Sequence, residues 1–229
     1  MACDYPIFLD LTDRLAVVVG AGNVAARKID KLISAGAHVR VVAREISEHV
    51  ETLMSNRAET KDLFAAAAES KPQLELVREN FKPAHLAGAF MVFACTDSHD
   101  VNGAVTQAAA AAGALVNRVD APTECDFFVP AVSAHGPVKL AISTGGASPA
   151  LSRFIRKQLD ENLPAHLGDL ADELADARAA VRQKITRPED QAAAWETLCG
   201  EESIRRLTDE GAAAWRTWLE KVIAKMAGH

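Results

Sequence analysis

Gly20-Ala21-Gly22-Asn23-Val24-Ala25 follows a short valine run and opens a stretch whose apolar residues fall at helical spacing. A GxGxxA turn between a strand and a helix suits the diphosphate of a dinucleotide. Gly20 permits the tight turn, Gly22 offers no side chain against the phosphates, and Ala25 lets the helix approach the sheet. The free amides and partial positive charge of a helix N-terminus complete an anion site. The same residues also make a strand-to-helix turn that holds no ligand, so the motif draws its weight from the flanking elements.

Three further groups of residues fall where a parallel sheet presents its ligands. Ala43-Arg44-Glu45 ends the second strand, where a carboxylate holds ribose hydroxyls. Glu45 there suits NAD, and Arg44 suits a 2′-phosphate, hence NADP. The residues leave both open and lean towards NAD. Cys95-Thr96-Asp97 ends a later strand, which places Thr96 and Asp97 beside the coenzyme or at the cap of the next helix. Asp120, in Asn117-Arg118-Val119-Asp120-Ala121-Pro122, ends another strand, where a carboxylate takes a proton, binds a metal or simply makes a turn before proline. Farther on, Ser143-Thr144-Gly145-Gly146-Ala147-Ser148-Pro149 opens a basic helix carrying Arg153, Arg156 and Lys157. A glycine pair, hydroxyls from Thr144 and Ser148, and Arg153 suit carboxylates, or make a capped helix with a solvated basic face.

The elements that must position these groups alternate. Leu15 to Gly20, His38 to Ala43, Phe90 to Cys95 and Leu115 to Val119 are short apolar runs, with Leu74 to Arg78 a weaker one. Asn23 to Ala35 and Val101 to Ala112 have helical patterning. Strand and helix in alternation predict an α/β fold, a Rossmann-like parallel sheet with helices on both faces. Glu51 to Lys71 is alanine-rich and interrupts the rhythm as a surface helix or insertion. Phe127 to Ala134 and Val138 to Thr144 flank a Gly-Pro turn and predict an antiparallel hairpin. Its apolar faces need a partner, and a second subunit is one way to supply it. Pro149 to about Asn162, His166 to Lys184, Pro188 to Leu198 and Thr208 to Ala227 predict an all-helical C-terminal domain, with Trp195, Trp215 and Trp218 as packing anchors. The expected divisions are 1–121, 122–148 and 149–229.

Composition narrows the classes. The chain has 229 residues, 49% hydrophobic and 24% charged, with a net charge of -6. That is ordinary globular composition, and the acidic balance argues against a nucleic-acid partner. No apolar run is long enough to cross a membrane. Met1 to Asp10 does not have the form of a secretory signal. The four cysteines form no CxxC pair and the seven histidines no pair at ligand spacing, so no metal site is expected. A reduced, cytoplasmic setting follows.

Five segments in order resemble the precorrin-2 dehydrogenase family, the sirohaem-synthase module that in some members is also a sirohydrochlorin ferrochelatase. They are Tyr5-Pro6-Ile7-Phe8-Leu9, VVVGAGNVAARK, FACTDSHDVN, VNRVDAP and STGGASPALSRFIRKQLDENLP. The resemblance implies an NAD-binding Rossmann domain, a small dimerisation region and a helical domain, assembled as a homodimer. It implies oxidation of precorrin-2, a carboxylate-rich tetrapyrrole, to sirohydrochlorin, followed in bifunctional members by iron insertion. The family's catalytic aspartate falls on Asp120, and its NAD contacts fall on Asn23, Val24, Arg44 and Glu45. Propionate and acetate groups would meet Thr144, Gly145, Gly146, Ser148 and Arg153. This chain departs from the family at Thr144, where some members carry a phosphorylated serine. His135 replaces a frequent arginine, and the segment from Ala58 to Lys71 has no compact counterpart. A nucleotide-sensing regulatory module, or a dehydrogenase of another small metabolite, shares the Rossmann features without requiring Asp120 or a basic cleft.

Overall fold

The computed structural model describes residues 5–60 and 73–228 and divides them into two compact units, 5–129 and 130–228. The first unit holds a five-stranded parallel sheet. Its strands are β1 (Leu15–Val19), β2 (His38–Val42), β3 (Leu74–Val77), β4 (Ala89–Ala94) and β5 (Leu115–Arg118), in the order β3-β2-β1-β4-β5. Three helices connect them: α1 (Asn23–Ser34), α2 (Glu48–Thr60) and α3 (His99–Ala111).

The valines of β1 explain the layering. Side chains alternate across a strand, and a parallel sheet is covered on both faces. Ala16 and Val18 pack into one cluster with Ala25, Ala26, Ile29, Leu32 and Ile33 of α1. Val17 and Val19 pack into the opposite cluster with Val105 and Ala109 of α3. The order reverses at β1, whose neighbours are β2 and β4. Ligands of open α/β sheets sit outside the carboxyl ends at that point. The expected Glu51–Lys71 interruption begins within α2, and its residues 61–71 lie outside the described residues.

The second unit begins with an antiparallel hairpin, β6 (Ala131–His135) and β7 (Val138–Ile142). The first strand starts later than Phe127, leaving Phe128 and Val129 exposed ahead of it. Gly136 has a φ of +57°, and the Pro137 ring fixes a negative φ, the sign pattern of a type II′ hairpin turn. Five helices follow: α4 (Pro149–Asn162), α5 (Leu167–Lys184), α6 (Pro188–Leu198), α7 (Glu201–Glu210) and α8 (Ala212–Ala227). The helix expected from Thr208 to Ala227 is two helices, because Gly211 has a φ of +82° that ends α7. Trp215 is the fully buried centre of this bundle, and its indole N–H donates to Ser203 Oγ at 2.7 Å. Trp195 and Trp218 pack half-buried around it.

One glycine in α5 is there for proximity. A Cβ on Gly168 would lie 2.7 Å from the His135 carbonyl oxygen and 2.9 Å from its carbon. Alanine normally favours a helix interior over glycine by about 1 kcal/mol. Here Gly168→Ala is expected to destabilise by roughly 1–3 kcal/mol, the cost of overpacking against backbone that cannot rotate away. Thermal unfolding checks it, and a higher Tm would contradict the close approach.

Candidate functional site

The carboxyl edge of the sheet forms a cleft of about 650 Å³. Gly20, Gly22, Arg44, Glu45, Thr96 and Asp97 all line it, so six of the eight residues expected around a dinucleotide meet in one place. Asn23 and Val24 form the first turn of α1 directly behind Gly22, and Val24 is exposed.

Backbone geometry makes this corner. Gly20 has a φ of +102°, and a Cβ there would come 2.4 Å from the Cys95 carbonyl oxygen. Its N–H donates to the Val42 carbonyl at 2.9 Å, and the Ser47 N–H donates to the Ala21 carbonyl at 3.0 Å. The turn is thereby tied to the end of β2 and the loop after it, and the Cys95 N–H, donating to the Val19 carbonyl at 2.8 Å, joins it to the end of β4. Gly22 is the N-cap of α1, and a Cβ there would meet nothing within 4 Å. No side chain caps the amides of α1, and its first turn holds no acidic residue. An uncapped helix start, a glycine opening and a cleft beside it fit a diphosphate.

The polar network around Asp120 lies at the adjacent ends of β4 and β5. Asp120 Oδ1 accepts from Arg118 Nε at 2.9 Å and from Asn102 Nδ2 at 2.9 Å. Its Oδ2 accepts from Arg118 Nη2 at 3.2 Å and pairs with His99 Nδ1 at 2.8 Å. The Arg118 guanidinium, with help from Asn102 and His99, holds this carboxyl far below the usual carboxylate range. Asp120 is therefore charged at neutral pH. The Arg118 side chain is only 3% exposed and also reaches Glu124 at 2.7 Å. Asn102 is fully buried and ties Asp120 to the cleft, since its amide also donates to the Thr96 carbonyl while its oxygen accepts from the Thr96 N–H. The cap of α3 is Ser98, which accepts from the Val101 N–H, so neither Thr96 nor Asp97 caps that helix. Behind the sheet edge, burial pushes the Cys95 thiol up to about 11 and pushes the Lys28 ammonium down.

Comparison with known proteins fits this geometry. Residues 7–131 match a family described as "Putative NAD(P)-binding", and residues 135–162 match the central domain of sirohaem biosynthesis proteins. The chain belongs to that NAD(P)-binding family. Among curated relatives, the siroheme synthase of Nitrosospira multiformis is 38% identical over 92% of this chain and 43% of its own length. That of Methylococcus capsulatus is 38% identical over 95% of this chain and 43% of its own. The chain thus spans about two fifths of these relatives. A solved structure of SirC, a precorrin-2 dehydrogenase, superposes with a TM-score of 0.73 at 24% identity, covering 95% of this chain and all of that one. It shares the fold.

Within this NAD(P)-binding family member, the second group of expected residues lies in the other unit. Ser148 caps α4 by accepting from the Leu151 N–H at 3.2 Å, and Thr144 Oγ1 accepts from the Ser148 N–H at 3.1 Å. Both hydroxyls serve the helix start. Gly145 and Gly146 are exposed with φ of +58° and +80°. Arg153 is exposed and, among the described residues, in no ion pair, whereas Arg156 and Lys157 pair with Asp160 and Glu161. His99, Asn102 and Arg118 fall within FACTDSHDVN and VNRVDAP, but those segments alone assign them no role. The adjacency of β4 and β5 is the signal that joins them, because residues following neighbouring parallel strands must be neighbours.

Proposed function

We propose that the chain oxidises precorrin-2 to sirohydrochlorin with NAD, within sirohaem biosynthesis. The observation that carries this reading is the uncapped Gly22 corner of an NAD(P)-binding unit with a polar network at Asp120 on the same sheet edge. Gly22, Asn23 and Val24 hold the diphosphate, and Glu45 beside Arg44 takes the ribose. When bound, the nicotinamide supplies the two-electron acceptor. Thr96, tied to Asn102, fixes the loop between coenzyme and carboxylate. Asp120 is the carboxylate on which proton transfer depends. Arg153, Thr144, Gly145, Gly146 and Ser148 meet the substrate's carboxylates. The work divides into 1–121 for the coenzyme, 122–148 for self-assembly and 149–229 for the helical domain.

The test is anaerobic incubation with precorrin-2 and NAD, followed by absorbance. Simultaneous appearance of NADH and the sirohydrochlorin spectrum is expected, and neither appearing would refute the activity. Ferrous iron added afterwards reports chelation through loss of that spectrum. A soluble cytoplasmic setting agrees with such substrates. Exposed Val132, Leu151 and Phe154 support a homodimer, since two copies would bury them. Sedimentation is expected to show a dimer that Phe154→Glu dissociates; a monomeric wild type would contradict it.

A further inference from the structure

His99 is 74% exposed, yet its Nδ1 lies 2.8 Å from Asp120 Oδ2. Arg118 Nη2 also lies 3.0 Å from that nitrogen, so the hydrogen-bonding demands of these neighbours decide the tautomer. Every Arg118 nitrogen already has an oxygen acceptor. Nε donates to Asp120, Nη1 to Glu124, and Nη2 to the His99 carbonyl at 3.0 Å and to Asp120. Arg118 therefore does not need the imidazole. A carboxylate oxygen facing an unprotonated ring nitrogen at 2.8 Å would set two lone pairs against each other. Nδ1 therefore carries the hydrogen and donates it to Asp120, which leaves the lone pair on Nε2, on the solvent side of an exposed ring.

Asp120 itself is poorly suited to take a proton. Its two oxygens accept from Arg118 twice, from Asn102 and from His99, which fills the four lone-pair sites of a carboxylate. The Arg118 guanidinium also holds it ionised. A histidine held by a carboxylate at Nδ1, with the lone pair at Nε2, is the arrangement of a general base. His99 directly follows Ser98, which lines the dinucleotide cleft. It is also the first residue of α3.

We infer that His99 is the proton acceptor of the oxidation and that Asp120 is its positioning residue. The inference rests on the dehydrogenase reading above. Oxidation removes two hydrogens from the substrate. One leaves with its bonding pair for the nicotinamide. The other leaves as a proton to His99 Nε2, and the pair it leaves behind becomes the new double bond. The proton then passes to bulk water and the ring returns to neutral.

The test compares wild type, His99→Asn and His99→Ala in NADH formation from precorrin-2. The asparagine amide still donates to Asp120 but takes no proton. Its kcat is expected to fall at least about 100-fold with KM unchanged. His99→Ala is expected to fall as far and to recover with added imidazole. Wild-type kcat in either variant, or no recovery with imidazole, would overturn the inference. A wild type that forms no NADH overturns the dehydrogenase reading as well, which separates the two failures. Nitrogen NMR of the ligand-free protein gives an independent readout. An Nδ1–H tautomer at His99 is expected, and an Nε2–H tautomer would overturn the assignment without any assay.

Discussion

Gly22→Asp is expected to leave the fold intact, with Tm unchanged or raised, and to weaken NAD binding at least about a hundredfold. The backbone at Gly22 has φ -76° and ψ -176°, an extended conformation open to any residue, and a Cβ there meets nothing within 4 Å. Aspartate is a good N-cap, better than glycine by a few tenths of a kcal/mol, and its charge at a helix start adds roughly 0.3–1 kcal/mol. The same carboxylate would occupy the amides offered to the diphosphate. Two like charges about 4 Å apart cost about 4 kcal/mol at an effective dielectric constant near 20. About two thirds of that already amounts to a hundredfold loss of affinity. Calorimetric titration with thermal unfolding on one preparation checks both halves. Wild-type affinity would remove the corner from coenzyme binding, and a fall in Tm would show that the position matters to folding. Gly20 cannot serve for this experiment, because its φ of +102° and the Cys95 carbonyl 2.4 Å from a built Cβ make any substitution a folding defect.

Asp120→Asn is expected to lower turnover about 10²–10⁴-fold, because it disables the general base that Asp120 positions, and to lower Tm at neutral pH. The substitution keeps the shape but removes the charge. It leaves the largely buried Arg118 guanidinium with Glu124 as its remaining carboxylate, and it points an amide at donors that need an acceptor. The pH dependence has a definite sign. The carboxyl is held below its usual range in the folded state, so its stabilising contribution is complete above the unfolded value near 3.9 and lost as pH falls through the folded value. The difference in stability between variant and wild type is therefore full at pH 7 and shrinks in acid below about pH 3.9. Steady-state kinetics and unfolding from pH 7 to pH 3 check this. Undiminished turnover would exclude Asp120 from the reaction.

Much of the first unit was legible because its signals are local. The valine run of β1, the glycine turn and the apolar stripe of α1 sit within twenty residues, and each is demanded by the next. The Asp120 network was only half legible. A carboxylate at a strand end can be seen in one dimension. His99, Asn102 and Arg118 become its partners only through the pairing of β4 with β5. Arg118 falls within VNRVDAP, yet a charged residue in a short strand suggests an exposed face, whereas its guanidinium is enclosed by two carboxylates. In the helical region the apolar spacing carried across Gly211 from Thr208, so spacing alone joined two helices that a positive φ separates. In the turn before α4, residue types suggested a carboxylate site. The hydroxyls of Thr144 and Ser148 also organise the helix start, beside the exposed glycines and Arg153.

The most direct measurement is a titration of the whole chain with NAD and, separately, with NADP, followed by heat and by hydrogen exchange. Saturable one-to-one uptake of NAD is expected, with slowed exchange at residues 20–25 and 44–47. Absence of heat and of protection with both coenzymes, oxidised and reduced, would contradict it.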